Sequence, residues 1–439
     1  MSTNNQTHHA WLPDLIYVDG RFQSGRAVVC EGGSIVEITD NPTNAIRLSG
    51  RAMLPGMVNA HSHAFQRVIR GRTEHRSEHS SDSFWTWREQ MYAAANALEP
   101  DEIYNVSRLA FREMALTGIT AVGEFHYIHH SRDGSPYSDP NLLEREVIRA
   151  ARDVGIRIAL LRVAYARAGY QTDPNPQQVR FIEDSPDLYL KNLEQLLPDA
   201  DETAWIGVAP HSVRAVPLDY LKAIIAFANE RALPVHMHVA EQPAEVSACI
   251  AEYGRSPVAL LETEGLLSKR FTAVHAIHVT PKAIAALARS GAVVCACPTT
   301  ERNLGDGVVP VDAYFDGGVR VALGSDSQTQ IDLLEDAREL EYHLRLQKME
   351  RNVLAPMLAE KLFDCATVNG AASIGFNGGR IEAGAAADFF TVDLNDPSIA
   401  DAPADDLLTN IVFSLSQRAV RDVVVAGKRI VEDGKANTF

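Results

Sequence analysis

Eight apolar runs rich in branched side chains recur between residues 54 and 326, and the segments between them carry apolar residues at helical spacing. The runs are LPGMVNA (54–60), TAVGEF (120–125), RIALLRV (157–163), WIGVAP (205–210), PVHMHVAE (234–241), FTAVHA (271–276), AVVCACP (292–298) and VRVALGSD (319–326). Strands that are apolar on both faces are buried on both faces, the situation of a parallel sheet covered by helices. The intervening stretches, such as PLDYLKAIIAFANERAL and PKAIAALARSG, close on a small residue or a glycine as helices do. Eight such units predict an α/β fold, a (β/α)8 TIM-like barrel. A barrel takes about 250 residues, so a chain of 439 has room for a smaller domain as well.

The flanks have a different period. Short alternating runs, DLIYVDGRF and AVVCEGGSIVEI on one side, ADFFTVDL and VRDVVVAGKRIVEDGK on the other, are separated by Gly and Asp turns. They are expected to be two halves of one small β-sandwich built from both chain termini. The division expected is residues 1–55 for the first half, 56–375 for the barrel and 376–439 for the second half.

In a barrel, chemistry gathers where strands end, at the C-terminal face. Strand 1 ends in His61 and His63, strand 4 in His211, strand 5 in His238 and Glu241, strand 6 in His275 and strand 8 in Asp326. Residues two apart in an extended chain share a face, so His61 and His63 can converge on one ion. Three imidazoles and a carboxylate, His61, His63, His238 and Asp326, form a borderline-soft N/O set suited to one divalent metal, Zn2+ first, with Fe2+ or Mn2+ as substitutes. Glu241 then stands near the metal without having to bind it, placed to move a proton. The parts are those of a hydrolase. No lysine occurs between Glu124 and Leu190 and strand 4 ends in His211, which argues against a second metal bridged by a strand-4 lysine.

Other features exclude functions. With 41 basic against 57 acidic residues the net charge is -16, which argues against a nucleic-acid surface but not against a small anion held by local groups. No basic-then-apolar leader opens the sequence and no run reaches the ~18 apolar residues of a membrane span, so a cytoplasmic protein without membrane contact is expected. Five scattered cysteines do not form a disulfide framework, and Cys295 and Cys297 read as small buried hydrophobes. His8, His9, His75, His79, His129 and His130 read as solvated loop or tail residues.

PGMVNAHSH, HMHVAE, the strand-6 histidine and LGSDS resemble the amidohydrolase superfamily, in its single-metal deaminase branch, over nearly the whole chain. HAFQR, DSFWTWREQMY, APHSVRAV, CPTTERNLGDG and GSDSQTQIDLLEDARELEY are similar to the formimidoylglutamate deiminase family within that branch. The resemblance implies hydrolysis of N-formimino-L-glutamate to N-formyl-L-glutamate and ammonia, with Glu241, His275 and Asp326 as the catalytic groups and a homodimer as the assembly. The small-molecule substrate is a dicarboxylate, and Arg88 and Arg214 offer bidentate forks for its two carboxylates. Gln66, Tyr127 and His211 join them by resemblance, although His126 and Tyr127 are adjacent and only one is expected to face inward. Trp85 and Trp87 are expected to pack as a lid. Two rival readings remain: a deaminase of a purine, pyrimidine or cyclic amidine, with an aromatic pocket lacking the arginine pair, and a metal-free barrel serving as a scaffold or binding protein.

Overall fold

A computed structural model of the chain describes residues 9–74, 83–173 and 175–436. Eight strands, β1 (Met57–Ser62), β2 (Ile119–His126), β3 (Arg157–Ala164), β4 (Ala204–Pro210), β5 (Val235–Val239), β6 (Phe271–His275), β7 (Val293–Ala296) and β8 (Arg320–Leu323), pair in chain order. All of these pairings are parallel. Each strand falls on one of the eight apolar runs. Nearly every strand residue is buried, as sheets covered by helices require.

The ring closes at the candidate site. An isolated bridge joins Ser62 to Asp326, through the Asp326 N–H to the His61 carbonyl at 3.0 Å and the His63 N–H to the Asp326 carbonyl at 3.0 Å. Gly324 makes this approach possible, because a Cβ there would lie 2.7 Å from the His61 Cβ. β8 itself ends at Leu323, so Asp326 stands in the turn beyond it.

The termini build the second layer. Strands His9–Val18, Ala27–Glu31, Ser34–Thr39 and Ala45–Pro55 come from one end of the chain, and Phe389–Asp393, Val420–Val425, Lys428–Glu432 and Lys435–Ala436 from the other. The two sets join where Phe389–Asp393 runs antiparallel to Ala45–Pro55, giving one continuous mixed sheet of nine strands with Arg21–Gln23. Its own core includes Trp11, Ile16, Val28, Met53, Phe389 and Val424. A buried bidentate pair, Arg157 Nε to Asp388 Oδ2 at 2.8 Å and Nη2 to Oδ1 at 3.0 Å, fastens this sheet to the start of β3.

Three expectations about histidine need correction. His129 is fully buried, donating from Nδ1 to Glu144 at 2.7 Å and from Nε2 to the Val163 carbonyl at 2.9 Å. His130 is buried beside it, bonded to the Ile182 carbonyl at 3.0 Å. The chain after β2 does not run out over the surface. It turns back across β3, where the charged Arg162 needs partners. His9 is half-buried in the first strand of the terminal sheet, while His8, His75 and His79 lie outside the described residues. All five cysteines are free and buried, Cys295 and Cys297 completely. Among the described residues no helix is long and apolar enough to cross a membrane.

Candidate metal centre and substrate pocket

The His-Ser-His segment is fixed from below by a carboxylate that spacing did not reveal. Glu124 on β2 accepts from Ser62 Oγ at 2.5 Å and from the Ala64 N–H at 2.7 Å. Burial pushes its carboxyl up to about 8, against those two hydrogen bonds. The buried Ser62 side chain is thereby turned away from the centre, and His61 and His63 face one another.

Their Nε2 atoms stand 3.2 Å apart, with Asp326 Oδ1 at 3.5 Å from His61 and 3.3 Å from His63. With His238, four ligand atoms lie within 4.8 Å of one another, all on buried residues. Ligands about 2.0–2.2 Å from a tetrahedral zinc are separated by about 3.3–3.6 Å, so the spacing fits one divalent ion. The outer nitrogens of two rings are already fixed: His63 Nδ1 donates to the Phe125 carbonyl at 2.8 Å and His238 Nδ1 to the His211 carbonyl at 3.2 Å. Such outer bonds leave Nε2 lone pairs pointing inward. Burial drives the His61 value down to about 3 and lowers His63 and His238 as well, so all three rings are neutral and competent to bind a cation. Burial works to raise Asp326, but its hydrogen bond with His61 and the cationic His275 beside it hold it below the usual carboxylate range.

His275 lies against this group. Its Nε2 is 3.6 Å from both Glu241 Oε1 and Asp326 Oδ2, and its Nδ1 donates to Glu301 Oε1 at 3.1 Å. Glu301 also accepts the Cys297 N–H at 2.9 Å. Burial works to lower His275, but Glu241, Glu301 and Asp326 together raise it well above an ordinary imidazole. Burial lifts Glu241 to about 7, opposed by His275 and reinforced by Asp326 and Glu245. Backbone strain concentrates here: Ala240, His275 and Asp326 have φ of 51°, 67° and 46°, left-handed values that place the side chains after three strands.

An open cavity of about 730 Å³ leads to these groups. Gln66, Arg88, Tyr127, His211 and Arg214 all line it, together with His63, His238, Glu241, His275 and Asp326. Tyr127 faces inward, accepting from Gln66 Nε2 at 2.9 Å. His126 points the other way, to the Ile128 carbonyl at 2.8 Å. Arg88 rises from the helix Phe84–Ala97, which occupies part of the β1–β2 connection, and stacks 4.6 Å from the Trp85 ring. Arg214 donates to Tyr165 Oη at 3.2 Å and to the Ala168 carbonyl at 2.7 Å. Among the described residues neither arginine meets a carboxylate within ion-pair distance, and the buried Arg88 Nε has no acceptor. Burial and the Arg214 charge, with further cations nearby, keep His211 well below an ordinary imidazole. Trp85 and Trp87 sit at the cavity wall beside Phe84.

Glu124, Glu245, Glu301 and Tyr165 went unnoticed in the sequence. None has a telling spacing to its partner, except that Glu245 lies four residues beyond Glu241.

The Amidohydrolase family model matches residues 52–430. The chain belongs to that family. It is 41% identical to the formimidoylglutamate deiminase of Pseudomonas aeruginosa over 95% of this chain and 93% of the relative. It is 29% identical to a 5-methylthioadenosine/S-adenosylhomocysteine deaminase of Halobacterium salinarum, over 97% of this chain and 92% of that one. The crystal structure of an amidohydrolase from Brucella melitensis superposes with a TM-score of 0.89 at 35% identity, covering 98% and 96% of the two chains. An adenosine deaminase from Xanthomonas campestris with bound zinc superposes with a TM-score of 0.82 at 23% identity over 98% and 94%, a likeness of fold alone. As an amidohydrolase of the deaminase type, this protein is a hydrolase acting on C–N bonds of a small molecule, with residues that fit a single divalent metal.

Proposed function

We propose that this amidohydrolase hydrolyses N-formimino-L-glutamate to N-formyl-L-glutamate and ammonia, a step of histidine degradation, with zinc as its metal. The observation that carries the reading is the pair of arginines without carboxylate partners among the described residues, Arg88 and Arg214, in the wall of the cavity that holds Glu241, His275 and Asp326. A dicarboxylate supplies a counter-charge to each, and the relative of 41% identity acts, by its name, on formimidoylglutamate.

His61, His63, His238 and Asp326 would hold the metal, which when bound supplies Lewis acidity and brings the pKa of water toward about 7. Glu241 removes a proton as water attacks the formimino carbon, with Asp326 as a second acceptor. Its carboxyl, lifted to about 7, then gives a proton to the departing nitrogen, which leaves as ammonia. His275, held by Glu301, aims Nε2 at the tetrahedral centre and stabilises the charge that develops there. Arg88 and Arg214 hold the carboxylates, and Gln66, Tyr127 and His211 complete the polar wall.

The aromatic lining of Phe84, Trp85, Tyr92 and Tyr165 would also suit a nucleobase, but a nucleobase leaves both arginines without counter-charges. Ammonia release measured across N-formimino-L-glutamate, adenosine derivatives, guanine and cytosine tests the choice. Preference for the formimino diacid is expected, and a better nucleobase substrate would overturn it.

A further inference from the structure

Glu245 is a buried carboxylate in the cavity wall, 7% exposed, on the first turn of the helix Pro243–Tyr253. Its two oxygens are in unlike situations. Oε2 accepts the Glu241 N–H at 3.1 Å and so braces the turn in which Ala240 takes a φ of 51°. Oε1 is fully buried and has no hydrogen-bond partner among the described residues. A helix N-terminus favours a carboxylate, and bracing the turn uses one oxygen, yet neither explains a second oxygen left unpaired in a wall shared with Glu241 and Arg214. An unmatched buried acceptor is costly unless something arrives to donate to it.

The proposed substrate brings such a donor. An amidine is protonated at neutral pH, so N-formimino-L-glutamate enters as a dianion carrying one amidinium cation, whereas its product carries a neutral amide. Resting on the formimino reading above, we propose that Glu245 is a specificity residue that pairs through Oε1 with the cationic amidinium, so that the pocket selects an N-amidinium dicarboxylate over its neutral amide or urea counterpart. The two arginines then read the carboxylates, and Glu245 reads the positive charge between them. Burial raises the Glu245 carboxyl, with the Glu241 N–H, Arg214, the Ala240 N–H and His275 opposing, and an arriving cation offsets that burial. Because the product lacks the charge, the same contact lets N-formyl-L-glutamate leave.

Glu245→Gln separates this from a purely bracing role, since the amide oxygen can still accept the Glu241 N–H while the charge is gone. With the metal-loaded enzyme, kcat/KM for N-formimino-L-glutamate should fall roughly 10- to 100-fold, with the inhibition constant of N-formyl-L-glutamate changed by less than about threefold. Parent-like activity in this variant, with Glu245→Ala impaired in kcat alone, would reduce Glu245 to a brace and overturn the proposal. Equal weakening of substrate and product would also overturn it. A second comparison does not depend on the variant: the unaltered enzyme should bind N-carbamimidoyl-L-glutamate, a guanidinium, at least about tenfold tighter than the neutral N-carbamoyl-L-glutamate. No such preference sinks the charge-reading role. If the unaltered enzyme releases no ammonia from N-formimino-L-glutamate at all, the functional reading fails instead, which is a separate result.

Discussion

Arg162 and Arg214 stand in the same barrel wall and are treated in opposite ways. Arg162, on β3 and wholly buried, sends Nη1 and Nη2 to Glu183 at 2.5 and 3.0 Å and Nε toward Asn141 at 3.0 Å and Glu144 at 3.2 Å. Glu144 takes the His129 N–H as well, and Asn192 donates to Glu183 at 2.6 Å. Arg214 has a tyrosine hydroxyl and a carbonyl and, among the described residues, no carboxylate within ion-pair distance. Buried charge is tolerated only when matched. A cation matched within the protein is scaffold, and a cation left unmatched beside a cavity is free to meet an anionic ligand. Substitutions in the first region should therefore change stability, and in the second, turnover.

The largest separation is expected at Glu241. Glu241→Gln keeps the shape of the side chain but cannot carry a proton, so turnover should fall by about 10²–10⁴-fold with metal content and melting temperature unchanged. Activity within a few-fold of the parent, with metal intact by elemental analysis, would remove Glu241 from the proton path.

Arg162→Met should do the reverse. Removing one partner from a buried ion pair costs about 3–5 kcal/mol, and the loss should appear in denaturant unfolding while kcat/KM per folded molecule stays within a few-fold. The pH dependence carries a sign. Burial works to raise Glu183, yet Arg162 brings it down to about 2, below the usual carboxylate range. Its stabilising contribution is therefore complete above the unfolded value and is lost as pH falls through the folded one. Without Arg162 the acid limb of unfolding should begin at higher pH. An unchanged acid limb would mean that Glu183 does not depend on this pair.

The two regions were unequally legible in the sequence. The cluster of His61, His63, His238 and Asp326 was readable because each member lies in or just beyond the end of an apolar strand, and in a closed barrel strand ends converge whatever the loops do. His129 and His130 were misread because their burial depends on how the chain after β2 folds back, which no period records. A signal existed in RIALLRV, where Arg162 interrupts an otherwise apolar run and so demands acidic partners. Those partners, Glu144 and Glu183, come from separate connections. Glu301 and Glu124 escaped for the same reason: Glu301 reaches His275 from the helix Pro298–Leu304, and Glu124 meets Ser62 from the neighbouring strand.

Arg214→Met and Arg88→Met come next in size. On the proposed dicarboxylate reading each removes one charge-assisted pair to a carboxylate, worth about 1.5–3 kcal/mol, so kcat/KM for the formimino diacid should fall by roughly 10- to 100-fold. A substrate lacking the corresponding carboxylate should lose little further, and thermal stability should hold or rise as an unmatched cation leaves the wall. A melting temperature that fell as far as in Arg162→Met would erase the distinction between the two arginines.

The smallest test sits in one dipeptide. His126 and Tyr127 are adjacent and point to opposite sides of β2: Tyr127 toward Gln66 and the cavity, His126 toward the buried network, where burial lowers its ring to about 4 despite the nearby Glu144. Tyr127→Phe takes away the acceptor for Gln66 Nε2 and the donor to Met91 Sδ at 3.2 Å, while keeping the ring. A single neutral hydrogen bond is worth about 0.5–1.5 kcal/mol, so kcat/KM should drop about 2- to 10-fold. The counterpart, His126→Asn, should leave kcat/KM alone and cost about 1 kcal/mol or more of unfolding free energy, because the shorter side chain leaves a packing gap among buried polar groups. If the effects are exchanged, with Tyr127→Phe only destabilising and His126→Asn only slowing turnover, then the division of the barrel wall into matched scaffold and ligand-facing groups does not run between these two residues.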